Sequence, residues 1–429
     1  MSLAAGLPAA VDACGIDFGT SNSTAGWSRP GQQALLVLED DKLTLPSVVF
    51  FHAEDAHVSY GRAALADYLE GHEGRLMRSL KSLLGTSMMD EHTEVAGRAV
   101  PFRMLLAQFI GELKRRADVA AGHQFTCAVL GRPVFFVDGD PAADQRAQDT
   151  LETTARQTGL RHIAFQFEPI AAAFDYESQV SEEELVLVVD IGGGTSDFAL
   201  IRLGPERAAR SEAGLDRRED ILASSGVHIG GTDLDKALSL VSVMPTLGLG
   251  SLLQSGLQIP SAQYFNLATW HTINQAYTKK AWSHFTALQR EACDKPKLER
   301  LLGVVRERAG HWLALQVEEA KIALSDADVA QIDMNRIAVG EHINLHRADL
   351  NRAIDGLVAS VEQTVARLLS DAGVAAAGID TVFFTGGSSS VPLLRQRILA
   401  LTPQARCVEG DLFGSIGAGL ALDARRKFG

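Results

Sequence analysis

The chain of 429 residues is short of basic side chains, of cysteine and of long apolar runs, and each shortage excludes something. Lys and Arg number 40 against 53 Asp and Glu, for a formal net charge of −13. That balance excludes nonspecific binding to DNA or RNA, which needs clustered basic groups on the phosphates. It leaves a nucleotide site open, because glycine nests and a divalent ion act locally. No stretch of about 18 or more apolar residues occurs, so no membrane-spanning helix is expected. The opening Met1–Ala13 stretch is small and apolar but carries no basic residue, which argues against a cleaved signal peptide. Cys14, Cys127, Cys293 and Cys407 lack CxxC spacing, which disfavours zinc and disulfide frameworks and suits a reducing cytoplasm. No low-complexity linker or charge block divides the chain. Its length allows two to four domains or subdomains with substantial cores.

What is present is a pair of similar loops. One is Gly15-Ile16-Asp17-Phe18-Gly19-Thr20-Ser21-Asn22-Ser23; the other is Val189-Asp190-Ile191-Gly192-Gly193-Gly194-Thr195-Ser196-Asp197. Each follows an apolar run and reads as a β-hairpin whose turn exposes a carboxylate, hydroxyls and free backbone N–H groups. Glycine allows close backbone approach to an anion, and successive N–H groups form a nest for phosphate oxygens. An aspartate beside such a nest repels phosphate unless hydrated Mg²⁺ stands between them. One copy alone is also ordinary turn chemistry. Two copies far apart point to a duplicated α/β unit that clamps a polyphosphate from both sides.

Strand-like runs alternate with amphipathic helices, as in α/β architecture. The pattern predicts strands at Leu35–Val37, Ser47–Phe51, Phe125–Leu130, Phe165–Phe167, Leu185–Val189, Phe198–Ile201 and Val382–Thr385. It predicts helices at Arg62–Tyr68, Leu76–Leu84, Phe102–Asp118 and about 144–158, and others beginning at Pro169 and near Ser415. From about 234 to 325 it is mostly helical, as in an inserted subdomain. Gly248-Leu249-Gly250 follows no strand and reads as a loop rather than a dinucleotide fingerprint. His342 and His346 have the i, i+4 spacing of helical metal ligands. Ile343 and Leu345 alternate with them as in a strand, which puts both histidines on an exposed face.

Three further elements suit a nucleotide. Gly386-Gly387-Ser388-Ser389-Ser390 lies between an apolar strand and a helix, a setting for close approach to sugar or phosphate and also a plain strand–helix turn. Glu168 stands at a strand end before a proline-initiated helix, where a carboxylate orients water or metal or simply favours the helix dipole. Lys81, in Leu80-Lys81-Ser82-Leu83-Leu84-Gly85, lies at the border of an apolar face, where a solvated helix lysine is the default.

With these residues collected, the sequence resembles the ATPase domain of the 70-kDa heat-shock (DnaK-type) chaperone family, from about Gly15 to Leu422. Gly15–Ser23 and Asp190–Asp197 are similar to its two phosphate loops. Glu168-Pro169-Ile170-Ala171-Ala172-Ala173 and the run Asp411 to Ala418 are similar to its two connecting motifs. Phe383–Ser388 resembles its adenosine motif, and Glu318-Glu319-Ala320-Lys321-Ile322-Ala323-Leu324-Ser325 its adenosine-binding helix. The resemblance implies an actin-like, two-lobed α/β ATPase fold of duplicated ribonuclease-H-like domains, with a helical insertion in lobe two. Lobe I is expected over 1–183, with 43–118 as its subdomain B and the C-terminal helix 406–429 completing it. Lobe II is expected over 184–405, with 232–344 as its mostly helical subdomain B.

The resemblance also implies roles. Asp17 and Asp190 would hold hydrated Mg²⁺. Gly19, Thr20, Ser21 and Asn22, with Gly192, Gly193, Gly194 and Thr195, would cradle the β- and γ-phosphates of ATP or ADP. Lys81 matches the catalytic lysine, Glu168 would polarise the attacking water or its metal, and Asp197 and Thr195 would help order it. Gly230, Gly231, Glu318, Lys321, Ser325, Gly386, Gly387, Ser388 and Asp411 would bind the rest of the nucleotide. Pro133 resembles the family's nucleotide-sensing proline and Arg146 its relay arginine.

The sequence departs from the family at Ser390, where an arginine usually packs on adenine, and in a longer helical stretch between Gly231 and Glu318. It ends at Gly429, which by resemblance implies a short stand-alone, YegD-type member without the linker and peptide-binding β-domain. The expected function is therefore Mg²⁺-dependent ATP binding with slow hydrolysis in a cytoplasmic, monomeric, chaperone-like protein. Nucleotide state would be coupled to lobe closure and signalled to an unidentified protein partner or client, with no nucleic acid or membrane involved. A small-molecule kinase of the same superfamily, an actin-like filament protein and an ATP-gated scaffold without turnover are the alternatives.

Overall fold

The computed structural model describes residues 12–54, 57–95, 97–212 and 217–429, so most of the Met1–Ala13 stretch lies outside the described residues. In chain order the strands are β1 (Ala13–Phe18), β2 (Asn22–Gly26), β3 (Thr44–Pro46), β4 (Val48–His52), β5 (Val58–Tyr60), β6 (Gly74–Arg78), β7 (His92–Val95), β8 (Arg98–Pro101), β9 (Cys127–Arg132) and β10 (His162–Phe167). They continue with β11 (Glu184–Ile191), β12 (Ser196–Leu203), β13 (Ile221–Val227), β14 (Val329–Asp333), β15 (His342–His346), β16 (Thr381–Thr385) and β17 (Arg406–Glu409). Two five-stranded sheets share one topology. In the first the order is β3-β2-β1-β9-β10, and in the second β13-β12-β11-β16-β17. Each opens with antiparallel strands around its central β1 or β11 and continues with two parallel strands. This repeat is the physical form of the duplication read from the two glycine loops.

The central strands β1 and β11 are buried along almost their whole length, which is why β11 reads as a nearly continuous apolar run instead of an alternating one. Helices cover the sheets. Those before the second sheet are α1 (Gly61–Leu69), α2 (Phe102–Ala121), α3 (Pro141–Gln157) and α4 (Glu168–Glu177). α3 starts where Asp140 accepts the Ala143 N–H at 2.9 Å and Pro141 occupies the first turn. α2 buries Leu105, Leu106, Phe109, Ile110 and Leu113, the apolar stripe of its sequence. The rest are α5 (Pro205–Glu212), α6 (Gly231–Leu238), α7 (Ala262–Leu267), α8 (Lys279–Glu291), α9 (Lys295–Arg306), α10 (Gly310–Asp326), α11 (Arg347–Asp371), α12 (Pro392–Leu401) and α13 (Ser415–Phe428).

α13 seats on β1, β2 and α4 through glycines. A Cβ on Gly419 would lie 1.7 Å from the Ala171 carbonyl oxygen, and one on Gly15 would lie 2.4 Å from the Ala421 nitrogen.

The chain forms two compact units. The first comprises Met1–His228, Gln363–Ser389 and Ile398–Gly429 and holds both five-stranded sheets. The second comprises Ile229–Glu362 and Ser390–Arg397. It is mostly helical, as the 234–325 pattern predicts, with the β14–β15 hairpin beside its helices. On β15, His342 and His346 are exposed while Ile343 and Leu345 are buried, so they form no helical metal pair.

Three expected elements differ. The C-terminal helix expected over 406–429 begins only at Ser415; Arg406–Glu409 is β17, which pairs with β16 in the second sheet. Leu35–Val37 is not a strand; Leu35 makes only an isolated bridge to Gly26. Leu76–Leu84 is not a helix. Leu76 and Met77 belong to β6 and pair with Phe50 and Val49, Ser79 turns the chain at φ 61, and Leu80–Leu83 is a short 3₁₀ turn. Its leucines have helical spacing only because a strand and a turn are joined end to end.

Candidate phosphate and metal site

Both glycine loops lie in the first unit. The turn 19–21 joins β1 to β2, and the turn 192–195 joins β11 to β12. The two turns abut. A Cβ on Gly193 would lie 2.3 Å from Ser21 Oγ, and one on Gly194 would lie 2.7 Å from Thr20 Oγ1 and 3.3 Å from Ser82 Oγ. Each turn is internally tight. Gly192 N–H donates to the Thr195 carbonyl at 3.0 Å, and a Cβ on Gly19 would meet the Asn22 carbonyl oxygen at 2.0 Å. Ser47 Oγ fixes the Gly19 carbonyl at 2.7 Å.

Below these turns the fold buries charge. Asp17 is on β1, Asp190 on β11 and Asp197 directly opposite Asp190 on β12. Glu168 is the first residue of α4, and Lys81 sits in the 3₁₀ turn after Ser79. Lys81 is only 7 % exposed, not a solvated helix lysine, and its Nζ donates to Glu168 Oε1 at 2.5 Å. Oxygens of Glu168, Asp190 and Asp197 lie within 4.8 Å of one another. This set includes Asp190 of the expected pair, and the Asp17 charge acts on Asp190 from beside it.

Four carboxylates face one ammonium, and the protonation of the site follows from that excess. Burial and the Glu168 charge push Asp197 up to about 7, against the Thr195 hydroxyl, the Val134 N–H and Lys81, which favour its charged form. Burial, Glu168, Asp197 and Asp17 push Asp190 well above the usual carboxylate range. Burial and Glu168 raise Asp17 as well. Burial alone would lower Lys81, but Glu168 and Asp17 outweigh it and hold the ammonium charged. Asp17 Oδ1, Asp190 Oδ1 and Asp197 Oδ2 are buried without a hydrogen-bond partner. An all-oxygen, carboxylate-rich set with unused lone pairs fits a hard divalent cation such as Mg²⁺.

Gly386, at φ 77, continues the site after β16: a Cβ there would come 2.5 Å from Asp190 Oδ1. Gly387 and Ser388 follow, and Asp411 accepts the Phe413 N–H at 3.1 Å. Gly230, Gly231, Glu318, Lys321 and Ser325 belong to the second unit. There Lys321 Nζ lies 2.8 Å from Asp235 and 3.3 Å from the Gly231 carbonyl oxygen, both contacts buried.

Sequence reasoning missed Arg132. Its guanidinium donates to the carbonyls of Pro133 (3.0 Å) and Val134 (3.2 Å), to Asp144 (2.8 Å) and to Gln148 (2.5 Å). It lies 5.1 Å from the Phe136 ring centre and 5.4 Å from that of Phe167, the residue before Glu168. The same segment aims the Val134 N–H at Asp197 Oδ1, 2.6 Å away. Arg132 is thus bound to the Pro133 carbonyl, while Arg146 lies on α3 and is exposed. Only the Phe125–Leu130 strand and the resemblance at Pro133 were visible in the sequence.

Among the described residues no helix is long and apolar enough to cross a membrane. The family described as Hsp70 protein matches residues 13–241 and 299–423, and the unmatched interval falls inside the helical stretch of the second unit. The chain is 27% identical over 436 residues to the chaperone protein HscA of Cronobacter sakazakii, across 96% of this chain and 58% of that protein. It is 28% identical to the HscA of Klebsiella pneumoniae across the same shares. With a chaperone protein HscA homolog of Pseudomonas aeruginosa it shares 29% over 355 residues, 77% of this chain and 53% of that one. The chain spans little more than half the length of these relatives. The matched residues include both glycine turns, Lys81, Glu168 and the Gly386–Ser388 turn, and this chain, with an α/β actin-like ATPase fold, belongs to the Hsp70 family.

Proposed function

We propose that the chain binds Mg-ATP at the abutting glycine turns and hydrolyses it slowly, as the ATPase of a chaperone-like protein. In this reading the nucleotide state is coupled to closure of lobe I (1–183 completed by α13) on lobe II (184–405 with β17), and the signal is passed to a protein partner or client. A monomer in the cytoplasm belongs to the same reading, and the four free cysteines suit that compartment.

The observation that carries it is the buried cluster of Glu168, Asp190 and Asp197 with Lys81 under two glycine turns. This excess of buried carboxylates over one ammonium opposes folding, and a bound cation would relieve it. Mg²⁺ held by Asp190, with Asp197, Glu168 or Asp17, would neutralise phosphate charge. The N–H groups and hydroxyls of Thr20, Ser21, Gly193, Gly194 and Thr195 would hold the β- and γ-phosphates. Lys81 would turn its ammonium from Glu168 to the γ-phosphate, freeing Glu168 to orient water for in-line attack, with Asp197 ordering that water. This is catalysis by positioning and electrostatics, without a covalent intermediate. Gly386, Gly387, Ser388 and Asp411, with Gly230, Gly231, Glu318, Lys321 and Ser325, would take the nucleoside.

The test is ATP affinity and single-turnover hydrolysis with Mg²⁺ and with EDTA, for wild type and Lys81→Ala. Binding that needs Mg²⁺, spared in the variant, with turnover lowered by about 100-fold or more, is the expected result. Wild-type turnover in Lys81→Ala would sink the catalytic assignment. Tight binding without any turnover would leave a nucleotide-gated scaffold, and turnover stimulated by a sugar would mark a kinase. Removing one partner of a buried pair is destabilising, so a thermal melt accompanies the kinetics.

A further inference from the structure

The Gly386–Gly387 turn has the Asp190 carboxylate on one side and an aromatic ring on the other. A Cβ on Gly386 would meet Asp190 Oδ1 at 2.5 Å, and a Cβ on Gly387 would meet Phe413 Cε1 at 2.8 Å and Cζ at 3.1 Å. Phe413 is 49 % exposed, although its neighbourhood is otherwise closely built. Its backbone N–H donates to Asp411 Oδ1 at 3.1 Å, and a Cβ on Gly414 would come 2.2 Å from Asp411 Oδ2. A Cβ on Gly410 would lie 2.4 Å from Phe383 Cζ. The loop 410–414 is therefore pinned on both sides of Phe413, and its ring is packed by one edge against Gly387 while much of it stays open to solvent. The position opposite the ring carries no side chain. Phe135, Phe265 and Trp282 are comparably exposed, and what distinguishes Phe413 is its place against Gly387, beside the turn that carries Asp190 on its other side.

We propose that Phe413 is the specificity-determining residue that takes the nucleobase, by stacking, and that it does so in a chain whose Ser390 supplies no arginine for that purpose. The inference rests on the reading that Mg-ATP binds at the glycine turns. Two consecutive glycines then span the step from the phosphate end, at Asp190, to the base end, at Phe413. A base π-face on an aromatic side chain is a tolerant but substantial contact that needs no charge. Arginine would add a cation–π term that phenylalanine lacks, so the stacking contribution here comes from the ring without a cation.

The experiment compares wild type, Phe413→Leu and Phe413→Trp in binding Mg-ATP and Mg-tripolyphosphate, which lacks base and sugar. Leucine keeps apolar packing on Gly387 but removes the π-face. Phe413→Leu is expected to weaken Mg-ATP by about 10-fold and to leave tripolyphosphate within about two-fold of wild type, the size of one stacked base. Phe413→Trp is expected to restore Mg-ATP affinity, and its indole fluorescence to change with ATP but not with tripolyphosphate. Equal Mg-ATP affinity in wild type and Phe413→Leu would overturn the inference while leaving the ATP site standing. Equal loss of both ligands would also overturn it, because the ring would then be supporting the turn instead of the base. No binding of Mg-ATP by wild type would remove the ATP reading itself and this inference with it.

Discussion

Asp190 and Asp197 are the residues at which cost to the fold and use to a ligand are clearest. They stand opposite each other in the β11–β12 ladder, where like charges oppose pairing. Burial and Glu168 raise the Asp197 carboxyl from its ordinary 3.8 to about 7. A carboxyl whose pKa is raised by folding binds its proton more tightly when folded. Its favourable contribution is therefore present below about 4 and is lost as pH climbs to about 7, at ~1.4 kcal/mol for each pH unit between those two values. In EDTA, wild type is expected to lose stability between pH 5 and pH 8. Asp197→Asn, which is neutral throughout, should melt a few degrees higher at pH 8 and show a shallower pH slope. Asp190 and Asp17 continue to titrate in the variant, so the slope is reduced rather than abolished. Parallel melting curves for both proteins across that range would contradict the assignment of this carboxyl to the buried cluster.

Elements bring these residues together, and α13 is the element whose fit can be tested most simply. Gly419 lets it lie on α4, whose first residue is Glu168, so close that a methyl would sit 1.7 Å from the Ala171 carbonyl oxygen. Gly419→Ala must push the helices apart and is expected to lower the urea midpoint by an amount equivalent to about 1–3 kcal/mol, with ATP turnover falling further because Glu168 moves with α4. An unchanged midpoint would show that the two helices are not in tight contact. The helix beginning near Ser415 was legible in advance, as were the two glycine loops and the buried strand before each. Other elements were not legible, for local reasons. Leu76, Leu80, Leu83 and Leu84 carry a helical period, yet the partner of Leu76 is Phe50 on β4, a pairing that no window of sequence contains. Lys81 consequently looked solvated when it is buried against Glu168. Arg132 was hidden because its partners are two carbonyls, Asp144 and Gln148, groups whose convergence depends on how α3 returns to the strand end. Phe413 was hidden because nothing in a sequence says which aromatic ring stays in solvent.

For the whole molecule the governing quantity is charge. A net −13, with an acidic cluster under the glycine turns, repels a nucleotide polyanion at long range, while the phosphate nest attracts it only at contact. Screening acts on the first of these and hardly on the second, because the Debye length falls from ~10 Å at 0.1 M salt to ~3 Å at 1 M. The association rate of Mg-ATP is therefore expected to rise, by up to a few-fold, as salt is increased from low to moderate concentration. A protein that draws in its anionic ligand through a basic surface shows the reverse. Stopped-flow mixing with a fluorescent nucleotide analogue measures the rate directly. A steep fall in association rate with salt would mean that a local basic field outweighs the overall charge. The Mg²⁺-bridged site would then have to give way to one in which lysines or arginines meet the phosphates first.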